Sequence, residues 1–142
     1  MITVKIAETK EELNAIFKIR EEVFIKGQGI SKEIEKDAFD KDAIHFILYN
    51  ENKPAACGRL RFVGGKAKLE RVAVLVEFRG KHLGQVVTKE MIKAAKEKGY
   101  NEIYMNAQYY LLDYYKKLGF KEVGKPFDDA GIKHIKMIYE KI

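Results

Sequence analysis

Two hydrophobic periodicities follow each other at the start of the chain. Apolar and polar side chains alternate over residues 2–6, which predicts a half-buried strand. Thr9 and Glu12 have the spacing of a helix capping box. The apolar positions then step by three and four, which predicts an amphipathic helix that ends at the turn Gly27–Gly29. Arg20 lies on this apolar stripe, and we interpret it as reaching outward at the stripe's margin, with a chemical role as the alternative.

The next segments alternate as strands do. Residues 30–43 are irregular and rich in acids and lysines, with room for one short helix. Strands are predicted over 45–49, 55–63 and 66–76, and the last two are joined by a tight turn at Gly64-Gly65. Three strands joined by short turns predict an antiparallel meander.

A change of pattern follows residue 76. A loop over 77–84 leads into an amphipathic helix that closes at Gly99, and a fifth strand is predicted over 101–107. A strand, a helix and a returning strand make a βαβ unit, so the fourth and fifth strands should be parallel neighbours.

The pattern in the last part of the chain predicts one short helix and two strands. The helix covers 109–118 and stops at Gly119, and the strands cover 120–124 and 132–140, separated by a loop that contains Pro126. The order of elements indicates an α/β fold: a mixed, mostly antiparallel sheet of six to seven strands with helices on both faces.

Composition narrows the class of protein. A length of 142 residues corresponds to a single domain, 1–142, and 46% hydrophobic with 34% charged residues is typical of a globular chain. Cys57 is the only cysteine, which excludes an intrachain disulfide and a cysteine-based zinc site. The histidines show no metal-ligand spacing, so no metal is predicted. Without an apolar run long enough for a bilayer, we predict a cytoplasmic protein with no membrane partner.

The net charge of +6 leaves three explanations open: nucleic acid, a phosphorylated ligand, or a lysine-coated surface. Lysines alternate with acids over 32–42 and 89–98, and no strand interleaves aromatic with basic residues. We therefore predict no nucleic-acid partner.

The loop that opens the second helix is the most informative stretch. A strand, a glycine-containing loop and a helix N-terminus present unpaired backbone N–H groups that can cradle phosphate. Arg79 and Lys81 add positive charge there. The alternative is a plain strand-to-helix turn.

Two motifs together resemble the GNAT superfamily of N-acetyltransferases. Arg79-Gly80-Lys81-His82-Leu83-Gly84 is similar to the family's Arg/Gln-x-x-Gly-x-Gly/Ala loop after the fourth strand. His82 replaces the first glycine, and its amide can still donate if φ there is negative. About thirty-five residues later, Tyr115 precedes Leu118-Gly119-Phe120, similar to the family's late Leu-Gly-Phe motif.

The resemblance implies acetyl-coenzyme A as co-substrate. It implies that the pyrophosphate binds to the loop, that the pantetheine arm pairs with the fourth strand, and that Tyr115 protonates the departing thiolate, with Tyr114 as its structural neighbour. An ordinary helix position is the alternative for Tyr115. The implied cofactor-binding residues are Val72, Ala73, Val74, Arg79, Gly80, Lys81, His82, Leu83, Gly84, Gln85, Asn106 and Tyr115.

Three further residues have candidate catalytic roles. Asn106 carries an amide able to bond near the thioester, or belongs to an Asn-Ala-Gln turn that caps the next helix. Glu70 is predicted to share a strand face with Val72 and Val74 and to act as general base, or to form an ion pair with Arg59 or Arg61. His134 is another candidate base, with an ordinary surface position as its alternative. An ordered water chain would need no side chain as base.

The sequence thus predicts direct acetyl transfer to a primary amine of a small molecule or peptide. A catalytically silent module that binds coenzyme A is the alternative, and a homodimer is left open. The acceptor site is expected near the first helix, the 27–43 segment and the third and fourth strands. Arg20, Arg61 and Glu70 are its candidate lining residues and allow a substrate that carries a carboxylate or a phosphate.

Overall fold

Seven strands form one mixed sheet in a computed structural model that describes residues 1–140. Their order across the sheet is β1-β2-β3-β4-β5-β7-β6. The strands are β1 Ile2–Ile6, β2 Ile44–Asn50, β3 Lys53–Val63, β4 Lys66–Val74, β5 Ile103–Gln108, β6 Phe120–Asp129 and β7 Ile132–Tyr139. β2, β3 and β4 make the predicted antiparallel meander, and β1 adds to it antiparallel to β2. β7 is antiparallel to both of its neighbours.

Helices cover both faces of the sheet, as the sequence predicted. Within residues 1–140 the α-helices are α1 Lys10–Arg20, α2 Lys32–Glu35, α3 Leu83–Glu97 and α4 Leu112–Lys117. The capping box of α1 is confirmed: the Glu12 N–H donates to Thr9 Oγ1 at 3.1 Å, and the Thr9 N–H donates to Glu12 Oε1 at 3.0 Å. A π-helical segment, Glu21–Lys26, prolongs α1 up to Gly27.

Each face of the sheet has its own apolar core. The α3-side core packs helix residues such as Val87 and Met91 against β-strand residues such as Leu69 and Met105. The α1-side core is smaller and consists of Ile16, Ile19, Val23, Phe24, Ile47, Cys57 and Ala73. Burial of these side chains supplies most of the driving force for folding.

The parallel pair β4–β5 is confirmed, and it is short. Ala67, Lys68 and Leu69 pair with Ile103, Tyr104 and Met105, and the ladder extends no further in the part of the chain described. β4 then continues to Val74 and β5 to Gln108 without pairing to each other. The two strands therefore diverge and leave a gap at their carboxyl ends.

A β-bulge in β4 overturns one prediction from the sequence. The register with β3 shifts between the pairs Cys57–Ala73 and Arg59–Glu70, and Arg71 has a φ of +53°. The extra residue interrupts the alternation of faces. Val72 and Val74 consequently pack on the α3 side, whereas the Glu70 side chain lies on the α1 side with Arg59. The prediction that Glu70 shares a face with the two valines was wrong.

A second difference concerns the end of the chain. Pro126 lies inside β6 rather than in a loop, at an irregularity where the β6–β7 register shifts between Val123 and Phe127. β6 is an edge strand of the sheet, where proline is tolerated because its missing N–H breaks no central ladder.

Among residues 1–140, every helix is too short or too polar to cross a lipid bilayer.

Candidate functional site

The gap between β4 and β5 opens into a cleft of about 780 Å³. One wall is formed by the start of α3 and by α4, and the other by the π-helical segment and α2. The cleft therefore reaches both faces of the sheet through the gap where the two strands separate. Topological gaps of this kind at the carboxyl ends of strands are common binding sites in α/β proteins.

The loop that leads into α3 has backbone N–H groups to offer. The N-cap residue of α3 is His82, and its side chain makes no capping bond within the part of the chain that the structure describes. The Val86 N–H is the first to bond back, to the His82 carbonyl at 3.1 Å. The N–H groups of Leu83, Gly84 and Gln85 precede it in the first turn, at the positive end of the helix dipole. The loop can therefore hold an anion without any capping side chain in the way.

His82 does not meet the condition of a negative φ under which its amide was expected to donate. Its φ is +61°, and Gly80 two residues earlier has a φ of +84°. The chain turns into the helix here through the left-handed region that glycine adopts most readily. Histidine is among the residues that tolerate this region. The loop thus follows the path that a glycine would take at this position.

Basic side chains flank the same loop. Arg79 Nε donates to the Val74 carbonyl at 3.0 Å and so ties the loop to the end of β4. The Lys81 ammonium lies 5.8 Å from the centre of the Phe78 ring. Both cations remain close to the N-terminus of α3.

The β4 backbone has one open edge beside the cleft. Ala73 and Val74 pair with Cys57 and Ala56 of β3, while β5 pairs with β4 only up to Leu69. The β5-facing side of 72–74 is thus available for an extended ligand to add to the sheet.

Two neighbouring tyrosines of α4 line the cleft. Tyr115 is 6% exposed and packs edge-on against Tyr114 and Phe120, with ring centres 5.1 and 6.0 Å apart. The Tyr114 hydroxyl lies 3.2 Å from the point where a side chain on Gly84 would begin. Burial raises the pKa of both phenols, so both are protonated at neutral pH.

Polar side chains of β5 and β7 share the α1-side face. Asn106 lies within β5, so the alternative of an Asn-Ala-Gln turn was wrong. Asn106 and Gln108 alternate with core residues, and Gln108 is the register partner of His134. Gln108 also exchanges two amide hydrogen bonds with Gln28, at 3.0 and 2.8 Å. Asn106, Gln108, Gln28 and His134 all line the cleft.

The hydrogen bond of His134 defines its tautomer. Nδ1 lies 2.7 Å from the carbonyl oxygen of Ile132, which can only accept. Nδ1 therefore carries the proton, and in the neutral ring Nε2 has the lone pair. The ring is stacked against Phe127, with centres 6.0 Å apart, which restricts its orientation.

Glu70 is held by three cations. Its carboxylate accepts from Arg59 Nε at 2.9 Å and from Arg61 Nη1 at 3.1 Å, and it pairs with Lys68 Nζ at 2.8 Å. Burial acts to raise the pKa of Glu70, but the Lys68 hydrogen bond and the Arg59 charge outweigh it, so the pKa is lowered. A carboxylate stabilised in this way is a weak base, and the geometry favours the ion pair that the sequence left as an alternative.

Arg20 is buried rather than extended into solvent, so the first interpretation of this residue was wrong. It is fully enclosed, and its guanidinium bonds Glu35 Oε2 at 2.7 Å and Asp40 Oδ1 at 2.8 Å. Arg59 reaches the same Asp40 oxygen at 2.9 Å and Asp37 at 2.7 Å. A burial-driven rise in the pKa of Asp40 is outweighed by Arg20 and Arg59, which lower it to about 2.

No pattern in the sequence singles out Gln28, Glu35, Asp37 or Asp40. The three carboxylates lie in the irregular segment 30–43, whose acids gave no periodic signal. The sole clue was an arginine on an apolar stripe, because a buried guanidinium requires carboxylate partners somewhere in the chain.

Cys57 lies outside the cleft. It is fully buried in the α1-side core, and burial raises the pKa of its thiol to about 12. It is absent from the residues that line the cleft.

Comparison with known proteins finds acetyltransferases and acyltransferases at the level of family, sequence and structure. Residues 5–141 match the profile of the family described as "Acetyltransferase (GNAT) domain". The chain is 38% identical over 134 residues to the uncharacterized N-acetyltransferase YjcF of Bacillus subtilis, covering 94% of this chain and 96% of that protein. The crystal structure of an acyl-CoA N-acyltransferase from Pseudomonas aeruginosa is 28% identical, with a TM-score of 0.85 and 99% of each chain covered. A GNAT family acetyltransferase from Elizabethkingia anophelis, solved with acetyl-CoA bound, has the same fold at 19% identity, with a TM-score of 0.74 over 96% of this chain and 94% of that one.

Proposed function

The chain belongs to the GNAT family of acetyltransferases, and on that premise we propose that it transfers the acetyl group of acetyl-coenzyme A to a primary amine. The shape of the cleft is the observation that carries this proposal. The open edge of β4 at 72–74 leads directly to the first turn of α3, with its unbonded N–H groups. An extended thioester with a diphosphate at one end matches both features.

The proposed diphosphate contacts come from the loop before α3. The N–H groups of the first turn, with those of the preceding loop residues, would donate to the phosphate oxygens. Arg79 and Lys81 would add charge at the same end of the cleft. The backbone of Val72, Ala73 and Val74 would bond the amides of the pantetheine arm, and the Asn106 amide would bond near the thioester.

The proposed proton donor to the departing thiolate is Tyr115. Its phenol lines the cleft and is protonated at neutral pH because burial raises its pKa. Tyr114 lies beside it with its hydroxyl next to Gly84, and we propose that it shapes the thioester end of the cleft.

The proposed proton acceptor is His134 in place of Glu70. The Ile132 carbonyl fixes the proton on Nδ1, which leaves the Nε2 lone pair for the acceptor amine. Glu70 is already engaged by three cations.

We propose direct transfer without an acyl-enzyme, and the position of the single cysteine supports it. An acyl-enzyme on cysteine would need a reactive thiolate in the cleft, whereas Cys57 is buried in the α1-side core and protonated. Attack by the amine on the thioester carbonyl would form the amide bond as the carbon–sulfur bond breaks. One proton would leave the amine and one would reach the thiolate.

Release of coenzyme A thiol tests the proposal. The protein would be supplied with acetyl-coenzyme A and a panel of amino acids, polyamines, aminosugars and peptides. We expect amine-dependent thiol release, and we expect Tyr115→Phe to lower kcat by about 10²-fold or more while Tyr114→Phe retains more activity. Full turnover by Tyr115→Phe would overturn the proton-donor assignment.

Binding of coenzyme A without thiol release on any amine would instead favour the silent binding module. A cytoplasmic location, the absence of membrane and nucleic-acid partners, and a homodimer stay predictions from the sequence.

A further inference from the structure

An unbalanced charge cluster lies on the α1-side wall of the cleft. It contains five cations, Arg20, Arg59, Arg61, Lys68 and Arg71, and four carboxylates, Glu35, Asp37, Asp40 and Glu70, all joined by ion pairs. Within residues 1–140, the cluster therefore holds one more cation than carboxylates.

The interior cations are fully paired. Arg20 has 1% side-chain exposure and bonds Glu35 and Asp40, including the Glu35 carbonyl at 2.9 Å. Arg59, equally buried, bonds Asp37, Asp40 and Glu70 through all three of its guanidinium nitrogens. Both guanidinium groups are enclosed and bonded to carboxylates among the described residues, so the charge open to a ligand lies elsewhere.

The surplus lies at Arg61 and Lys68, which both line the cleft. Within residues 1–140 each of them has Glu70 as its one carboxylate partner, and both contact the same oxygen, Oε2, at 3.1 and 2.8 Å. Glu70 Oε1 already accepts from Arg59. Two cations thus share one oxygen and are left with unused N–H donors.

At Arg71, the neighbouring positive charges add to the effect of burial. Burial lowers the pKa of its guanidinium, and so does the charge of Arg59, followed by that of Arg20, although Glu35 and Asp37 are close. An additional anion on this wall would be stabilised by the whole cluster.

The orientation of Arg61 is fixed before a ligand arrives. Its guanidinium carbon lies 3.6 Å from the centre of the Phe39 ring, and that ring is half exposed. The stacking holds the planar group flat and leaves its edge to bond a carboxylate. A preorganised donor loses little side-chain entropy when it binds.

We infer that the acceptor amine also carries a carboxylate, which binds between Arg61 and Lys68 at the cleft wall. The inference rests on the proposed transferase function and names its substrate class as amino-acid-like. A surplus of one positive charge matches a carboxylate better than a phosphate monoester, which carries roughly −1.5 to −2.

The test compares amino acids with their carboxamides, which keep the size and the amine but lose the negative charge. We expect kcat/KM for the preferred amino acid to exceed that of its carboxamide by about 10- to 100-fold. Arg61→Gln and Lys68→Gln should each lower this ratio about tenfold, mainly through KM for the amino acid. Lys89→Gln removes the same charge from an exposed position on α3 and should preserve the ratio.

Equal kcat/KM for both members of every pair would overturn the inference while leaving the transferase intact. A tenfold preference for amino-phosphates over amino acids would overturn the carboxylate inference and indicate that the subsite binds a phosphate. Where no amine is acetylated, the proposed function fails, and thermal shifts with the same pairs in the presence of coenzyme A still decide the subsite. Stabilisation by amino acids but not by carboxamides, lost in Arg61→Gln, would support it; equal shifts would refute it.

Discussion

Gln28 and Gln108 hold two distant segments together through a reciprocal pair of amide hydrogen bonds, 3.0 and 2.8 Å long. Gln28 follows the π-helical segment, and Gln108 ends β5, 80 residues later. Both line the cleft, so the pair ties the wall that carries the π-helical segment to the end of β5.

We expect this pair to show a measurable coupling energy. Each single change, Gln28→Ala or Gln108→Ala, should cost about 1 kcal/mol of unfolding free energy, since the partner amide loses its bonds. The double variant should cost less than the sum of the two, by about 0.5–1 kcal/mol. Urea unfolding of the four proteins measures this. Strict additivity would mean that the two amides do not interact in solution.

The buried Arg20 should be indispensable for stability. Arg20→Met leaves Glu35 and Asp40 enclosed with one cation fewer, and we expect a loss of about 3–5 kcal/mol in the free energy of unfolding. Lys26→Met removes a cation from an exposed pair with Glu22 and should leave the unfolding curve unchanged. Similar urea midpoints for the two variants would contradict the burial of Arg20.

The same cluster predicts the response of stability to acid. Asp40 has a native pKa of about 2, below its ordinary value of 3.8. Because the native value is the lower one, the ion pairs of Asp40 contribute fully above about pH 4, and the contribution is lost as the pH falls towards 2. Between pH 4 and 2 the wild type should lose about 2 kcal/mol more than Asp40→Asn. Parallel curves of unfolding free energy against pH would rule out this role.

His82 offers a test of the cofactor loop. With φ at +61°, glycine relieves strain of about 1–2 kcal/mol and adds about 0.5–1 kcal/mol of unfolded-state entropy. His82→Gly should therefore match or slightly exceed the wild type in unfolding free energy and in coenzyme A affinity. His82→Val should be less stable by about 1–2 kcal/mol and bind coenzyme A more weakly, because a β-branched residue resists positive φ. Calorimetry and urea unfolding check both, and a valine variant that equals the glycine variant would show that the loop does not need this φ.

Most of the fold could be predicted because its signals are local. Alternation, helix stripes, the capping box and the glycine turns lie within short windows, and they define the order of elements and the β4–β5 pair. The bulge at Arg71 has no comparable signal, and it alone moves Glu70 to the opposite face from Val72. Similarly, the partners of Arg20 lie 15 and 20 residues away in an irregular segment, so tertiary packing decides its burial.

Substitution of His134 tests the proposed proton acceptor directly. Its Nε2 lone pair is proposed to accept the proton of the amine, so His134→Gln should lower kcat by about 10²- to 10⁴-fold. The smaller His134→Gly leaves space for added imidazole, which should restore part of the rate in proportion to its concentration. Lys121→Gln, at an exposed position of β6, is the control and should retain full activity without responding to imidazole. A structural role for His134 would also lower activity, but imidazole would not recover it. An unchanged kcat in His134→Gln would assign the proton to a water chain instead.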